Sequence, residues 1–153
     1  RVLATFTSWL SEKTKPVFVL STANNIDLLP LEIIRKGRFD EIFFLDLPKL
    51  EEREEIFKIH LQEFRPNSWQ SFNYSILAKA SESFSGAEIR QSIIEGMYHA
   101  FYEKREFLTE DICLALDELI PLANLESDQM IKLQNWASSG RIRSASSKRI
   151  YLN

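Results

Sequence analysis

The chain has 153 residues, 44% of them hydrophobic and 12% aromatic, enough for one ordinary domain or two small ones around a packed core. Its formal charge is −3, from 19 basic and 22 acidic residues, so the chain as a whole is no polyanion binder and any basic site must be local. The single cysteine, Cys113, lies between apolar neighbours as a small core residue and excludes a disulfide framework, and no apolar run approaches the roughly 18 residues of a membrane helix.

The first residue is Arg1 rather than a methionine, and no secretion signal follows it, so a soluble protein inside a cell or an organelle is expected. The opening "RVLATFTSWLSEKT" carries Val2, Leu3, Phe6, Trp9 and Leu10 on one helical face but no starting cap. It reads as a sequence cut at its N-terminus, with a processed precursor as the alternative. After Lys15 and Pro16, "VFVLST" is a continuous apolar run of strand length, suited to a strand covered on both faces in a parallel sheet. "EIFFLDLP" is a second such run, closed by Pro48. The segment between them is too long for a hairpin and has a short helical pattern at Leu31 and Ile34, which predicts a right-handed crossover. Two strands alone cannot bury both faces, so further strands are expected upstream of Arg1 or in another chain.

From Leu50 the hydrophobic period becomes helical. "LEEREEIFKIHLQEF" places Ile56, Ile59, His60 and Phe64 on one side and stops at Arg65 and Pro66. "SILAKASESF" predicts a shorter helix. In "SGAEIRQSIIEGMYHAFYEKR", Ser85 and Glu88 form a capping box, the hydroxyl accepting from the Glu88 amide and the carboxylate from the Ser85 amide. "LTEDICLALDEL" repeats the logic, with Thr109 as the cap and two acids in the first turn. A last helix around "SDQMIKLQNWASS" ends at Gly140, and "RIRSASSKRIYLN" follows with four cations and no acid. The fold class is therefore α/β followed by all-α: 1–48 the end of a parallel α/β subdomain, 49–122 a helical bundle, and 123–153 a terminal helix with a basic tail. That tail reads as a solvated end, or as a contact for nucleic acid or an anionic partner; the absence of an aromatic stacking platform makes nucleic acid unlikely.

In "RKGRFDEIFFLDLP", Arg35, Lys36 and Arg38 stand directly before an apolar run, as if to meet an anion. A solvated basic turn capped by Asp40 is the plain alternative. The whole string "VFVLSTANNIDLLPLEIIRKGRFDEIFFLDLP" resembles the second half of the nucleotide-binding domain of AAA ATPases. The familiar form there is an apolar strand ending in Thr-Asn, a spacer with Asp and Pro, Leu-Leu-Arg-x-Gly-Arg-Phe-Asp, a strand, and Leu-Pro. The likeness is nearly residue by residue over 17–48 and continues more loosely to about 120 through a helical lid. Within the family, the opening segment and "LQNWASSGRIR" are most similar to a plastid and cyanobacterial branch.

The resemblance implies a ring, with six subunits expected, in which ATP lies between the sheet and lid of one subunit. Arg35 and Arg38 match the arginine-finger pair that reaches into the neighbouring site, a role suited to a permanently charged fork of donors. Gly37 would let the loop turn so that both face outward. Asn24 matches the polar sensor of the γ-phosphate, although Ala23 and Asn25 stand where Thr and Arg are usual; a turn after a strand is the alternative for Asn24 and Asn25. Ile56 and His60 match lid residues packed on adenine and ribose, and Gly86 and Ala87 the small residues that let the backbone approach the base where a helix N-terminus points toward phosphate. Arg90 stays open as a phosphate sensor, and His99 is expected to be a core or surface residue.

No G-x-x-x-x-G-K-[ST] occurs and no apolar strand ends in Asp-Glu, so the phosphate cradle and the magnesium ligands are expected outside this chain. The intact protein is expected to hydrolyse ATP with Mg²⁺ and remodel a protein client in a plastid stroma or a cyanobacterial cytoplasm; this chain alone is expected to be inactive. No resident metal site is predicted. The rival is a non-catalytic helical module that binds or scaffolds a partner through its arginine loop. A nucleic-acid clamp using the tail is disfavoured by the net charge.

Overall fold

The computed structural model describes residues 2–25, 27–28, 33, 38–138 and 142–145, with only the backbone of Val2 and Leu3. The chain divides into two compact units, Arg1–Leu45 with Leu133–Asn153, and Asp46–Lys132. Leu31, Ile34, Arg35, Lys36, Gly37, Gly140 and most of the basic tail lie outside the described residues.

In the first unit, α1 runs Val2–Glu12, as its period predicts, with Leu10 and Thr7 buried. Phe6 and Trp9 stack along it, ring centroids 5.9 Å apart. The expected strand at 17–22 is not formed: Val17 to Thr22 carries no ladder, and Phe18 is 92% exposed. "EIFFLDLP" keeps only β1, Phe43–Phe44, whose partner is β2, Arg143–Ser144, in parallel register with Phe43 opposite Arg143. The expected pairing of the 17–22 and 41–48 runs across a crossover is thus replaced, among the described residues, by a two-residue ladder with the C-terminal segment. The physical reason was already present in the pattern. A strand apolar on both faces gains its stability from neighbours on both edges and layers on both faces, and two short runs supply neither.

The second unit is a helical bundle with its own core. Its elements are α2 (Leu50–Phe64), a 3₁₀ turn at Trp69–Ser71, α3 (Tyr74–Ala80), α4 (Gly86–Tyr102), α5 (Thr109–Glu118) and the single turn α6 (Leu122–Leu125); α7 (Ser127–Ser138) begins in this unit and continues past its end at Lys132. Phe57, Leu61, Leu77, Ile89, Ile93 and Ile112 are fully buried, joined by Phe84, Phe107 and Leu116. Phe72 and Phe107 pack with ring centroids 4.9 Å apart. Cys113 is half-buried and free.

Helix α2 stops at Arg65, as the following proline dictates. Its buried stripe, however, is Arg53, Phe57 and Leu61, so Ile56, His60 and Phe64 flank the core and Ile59 is exposed. The capping box of α4 is formed as expected: the Glu88 amide donates to Ser85 Oγ at 3.3 Å and the Ser85 amide to Glu88 Oε2 at 2.8 Å. At α5 the expected cap is displaced. Leu108 is the cap residue, its amide donating to Asp111 Oδ2 at 2.8 Å, while Thr109 Oγ1 accepts from the Asn73 amide at 3.0 Å, joining the starts of α3 and α5.

Two interior features set the spacing of these helices. Gly96 faces the start of α5 so closely that an added Cβ would stand 3.1 Å from the Asp111 carbonyl carbon and the Ile112 amide. Asp111, 1% exposed, accepts from Arg105 Nη1 at 2.7 Å and Nη2 at 2.6 Å, a two-pronged pair that ties the end of α4 to the start of α5.

Candidate functional site

Of the nucleotide-contact candidates in the bundle, Ile56 on α2 and Gly86 in the first turn of α4 face each other. Ile56 and His60 lie one helical turn apart on α2. Across from them, Ile56 Cδ1 is 3.7 Å from where a Cβ on Gly86 would stand, so glycine here leaves a methyl-sized space beside Ile56. Ala87 is exposed on the same turn. The His60 ring stacks on Phe64 at 6.5 Å between centroids, and its Nδ1 is buried, 3.6 Å from Glu63 Oε2 and without a hydrogen bond among the described residues. Arg90 is exposed, and its guanidinium sits 5.2 Å from the Phe64 ring centroid, a cation against a π face. His99 is half-buried on α4 with Nε2 3.7 Å from Glu118 Oε2.

The first turn of α4 carries its own anion. Glu88 Oε2 accepts from the Ser85 amide and, at 2.6 Å, from the Ser85 hydroxyl, while Oε1 accepts from the Leu122 amide at 2.7 Å. Burial raises the Glu88 pKa, but these donors outweigh it and hold the carboxyl below its ordinary value. A carboxylate at that end already meets the positive end of the helix, so the Gly86–Ala87 turn suits the uncharged part of a ligand better than a phosphate.

The remaining candidates lie in the first unit. Asn24 is exposed at a bend, and next to it Asn25 Oδ1 accepts from the Asp27 amide at 2.9 Å, a side-chain-closed turn. Arg38 is half-buried rather than facing fully outward: Nε donates to Ser11 Oγ of α1 at 3.3 Å, and Nη1 is buried with no partner among the described residues. Arg35 lies outside the described residues.

Three structural residues carried no usable signal or only a faint one. Arg53 reads as one more surface charge in "EEREE", yet it is buried, with Nε donating to Ala78 O at 2.8 Å and Nη1 to Pro48 O at 2.9 Å, so it locks the start of the bundle to the end of α3. Asp111 passes for an ordinary acid in a first turn. Gly96 could have been found, because a lone glycine inside a strong helical pattern signals close packing.

No protein-family profile matches the chain. It is 79% identical over all its 153 residues to an uncharacterized AAA domain-containing protein, ycf46, of Trieres chinensis, covering 31% of that protein. It is 59% identical over 146 residues to the protein of the same name in Gracilaria tenuistipitata var. liui, covering 95% of this chain and 30% of that one. The chain belongs to the AAA family. More distantly it is 35% identical over 104 residues to a proteasome-activating nucleotidase of Sulfurisphaera tokodaii, covering 67% of this chain and 26% of that protein. The matched stretch is the C-terminal part of the ycf46 proteins. The chain spans about 30% of the length of the curated relatives it matches. No helix among the described residues is long and apolar enough to cross a membrane, and no group of three or more His, Cys, Asp or Glu among them could hold a metal ion.

Proposed function

We propose that this AAA chain is the C-terminal part of an ATPase that works at subunit interfaces of a ring, with residues 1–48 closing the nucleotide-binding α/β subdomain, 49–122 forming its lid and 123–153 a terminal helix with its tail. The observation that carries the reading is the surface formed by Ile56, His60 and the glycine of the α4 turn. It offers an apolar wall, a ring nitrogen with no hydrogen bond among the described residues and a glycine backbone, a combination that suits a purine and its ribose. ATP lies with its base on this surface and its phosphates directed away from the Glu88 carboxylate. A phosphate cradle and the Mg²⁺ ligands come from outside the chain. When bound, the ion neutralises phosphate charge; the residues described here position the base and supply cations.

Arg38 is the trans-acting cation of the neighbouring subunit, with Arg35 as its partner in "RKGRFD", and Asn24 orients the attacking water. The Arg38 guanidinium has its stem fixed by the Nε bond to Ser11, and its Nη1 has no hydrogen bond among the described residues, which suits a donor kept for phosphate. Arg90, placed against Phe64, braces the aromatic beside His60 rather than sensing phosphate. Nucleotide turnover moves lid against sheet in a hexamer and so remodels a protein client, within a plastid stroma or a cyanobacterial cytoplasm. In the intact protein, Arg38→Ala is expected to lower ATP turnover by about 10³ to 10⁵ while leaving the fold unchanged. Unchanged turnover sinks the trans-acting assignment and favours the rival, a helical binding module with no catalysis.

A further inference from the structure

One carboxylate closes two helices that are far apart in the chain. Glu88 Oε2 serves the Ser85 end of α4, and Oε1 takes the Leu122 amide, the first donor of α6. Separation in sequence is 34 residues. Pro121, the residue before Leu122, is buried at the α6 cap, and the single turn is too short to be stable alone. From there the chain continues without a free end: Glu126 donates to Leu122 O at 2.8 Å and accepts, through its own carbonyl, from Gln129 and Met130 at 3.1 Å, so α6 leads directly into α7. The only hydrogen bond from an α6 backbone amide to a side chain among the described residues is the one from Leu122 to Glu88. The same carboxylate stands two residues after Gly86 and one after Ala87.

We propose that Glu88 is a latch that docks the segment from Pro121 to Met130 onto the first turn of α4, so that the placing of Gly86 and Ala87 and the docking of that segment are one event. Glu88 is thus a positioning residue, not a catalytic one. Its functional weight rests on the reading of Gly86 and Ala87 as nucleotide contacts, but the latch itself is a property of the ligand-free chain. Two oxygens shared between two helix starts transmit displacement in both directions: release of Leu122 frees Oε1 and loosens Ser85, and a shift of the α4 turn pulls on Leu122.

The test uses Leu122→Pro in the 153-residue chain. Proline is well tolerated at a first helical position, so this substitution deletes the Leu122 donor while leaving every group of the Ser85 box in the sequence. Expected results are hydrogen exchange at Asn124–Met130 faster by tenfold or more, shifted amide resonances for Gly86 and Ala87, and a Glu88 titration moved up toward the ordinary carboxylate value. Glu88→Gln should reproduce the first two, and Glu88→Asp, one carbon shorter, should not restore wild-type exchange. Unchanged exchange at Asn124–Met130 in both Leu122→Pro and Glu88→Gln overturns the latch. Faster exchange with Gly86 and Ala87 unmoved overturns the claim that the two are one event. All of these are read without nucleotide, so their failure is separate from failure of the ATPase reading, which Arg38→Ala tests in the intact protein.

Discussion

The bundle 46–132 and the strand region 17–45 put apolar sequence to opposite effect. In the bundle the apolar positions of α2 to α5 close on one another, and Phe57, Leu61, Leu77 and Ile93 have no exposure at all. In the strand region the richest apolar runs stand open, with Phe18 at 92%, Leu20 at 82% and Leu45 at 81%. Apolar content does not account for the difference, since the strand region is the richer of the two. A helix satisfies its own backbone and needs only a matching stripe nearby, whereas a strand needs hydrogen-bonding neighbours and two covering layers before its side chains have anywhere to go. Among the described residues, the apolar runs of the strand region have no such neighbours apart from the two-residue ladder of β1 with β2.

If that contrast is right, the largest effect falls in the bundle. Leu77→Ala is expected to cost about 2–5 kcal/mol in urea unfolding, while Phe18→Ser, in a more apolar stretch, changes stability by less than about 0.5 kcal/mol. Equal costs would break the comparison. Next comes Asp111→Asn, expected to cost about 1.5–3 kcal/mol at pH 7 by weakening a charge-assisted bond to Arg105. The Arg105 guanidinium, helped by the Leu108 amide and against burial, holds the Asp111 carboxyl below the usual carboxylate range. A folded pKa depressed in this way gives stability that is full above the unfolded value near 3.9 and lost as pH falls through the lower folded value. The gap in urea midpoint between wild type and Asp111→Asn should therefore hold from pH 7 to about 4 and close below that.

Gly96→Ala sharpens the contrast further, because the new methyl meets α5 backbone rather than a yielding side chain. The roughly 1–3 kcal/mol of overpacking exceeds the roughly 1 kcal/mol gained from helix propensity, so a net loss near 1 kcal/mol is expected in thermal unfolding. The smallest effect has the opposite sign. Lys104 sits at φ 58° in the turn after α4, where the Arg105 amide reaches Ala100 O at 3.1 Å and the Lys104 amide reaches Phe101 O at 3.0 Å. Glycine favours that left-handed position, so Lys104→Gly should stabilise the bundle by some tenths to about 1 kcal/mol.

Local patterns made most of the bundle legible: the start of α4 at Ser85 and the stop of α2 before Pro66 followed from a cap, a breaker and a 3.6-residue period. Thr109 was misplaced as a cap because the choice between it and Leu108 turns on Asn73, which lies 36 residues away and competes for the hydroxyl. The strands failed for a related reason, since "VFVLST" names a strand only when its neighbours are present. Of the candidate site, the resemblance named Ile56 and Gly86 separately and their proximity is a tertiary fact, as are the second bond of Glu88 and the burial of Arg53, none of which leaves a trace in spacing.

The central claim is tested most directly by hydrogen exchange across the intact protein with and without ATP. The account predicts protection concentrated at Ile56–His60 and at Gly86–Ala87, with weaker protection at Asn24. ATP binding that protects other segments and leaves these amides unchanged would contradict it.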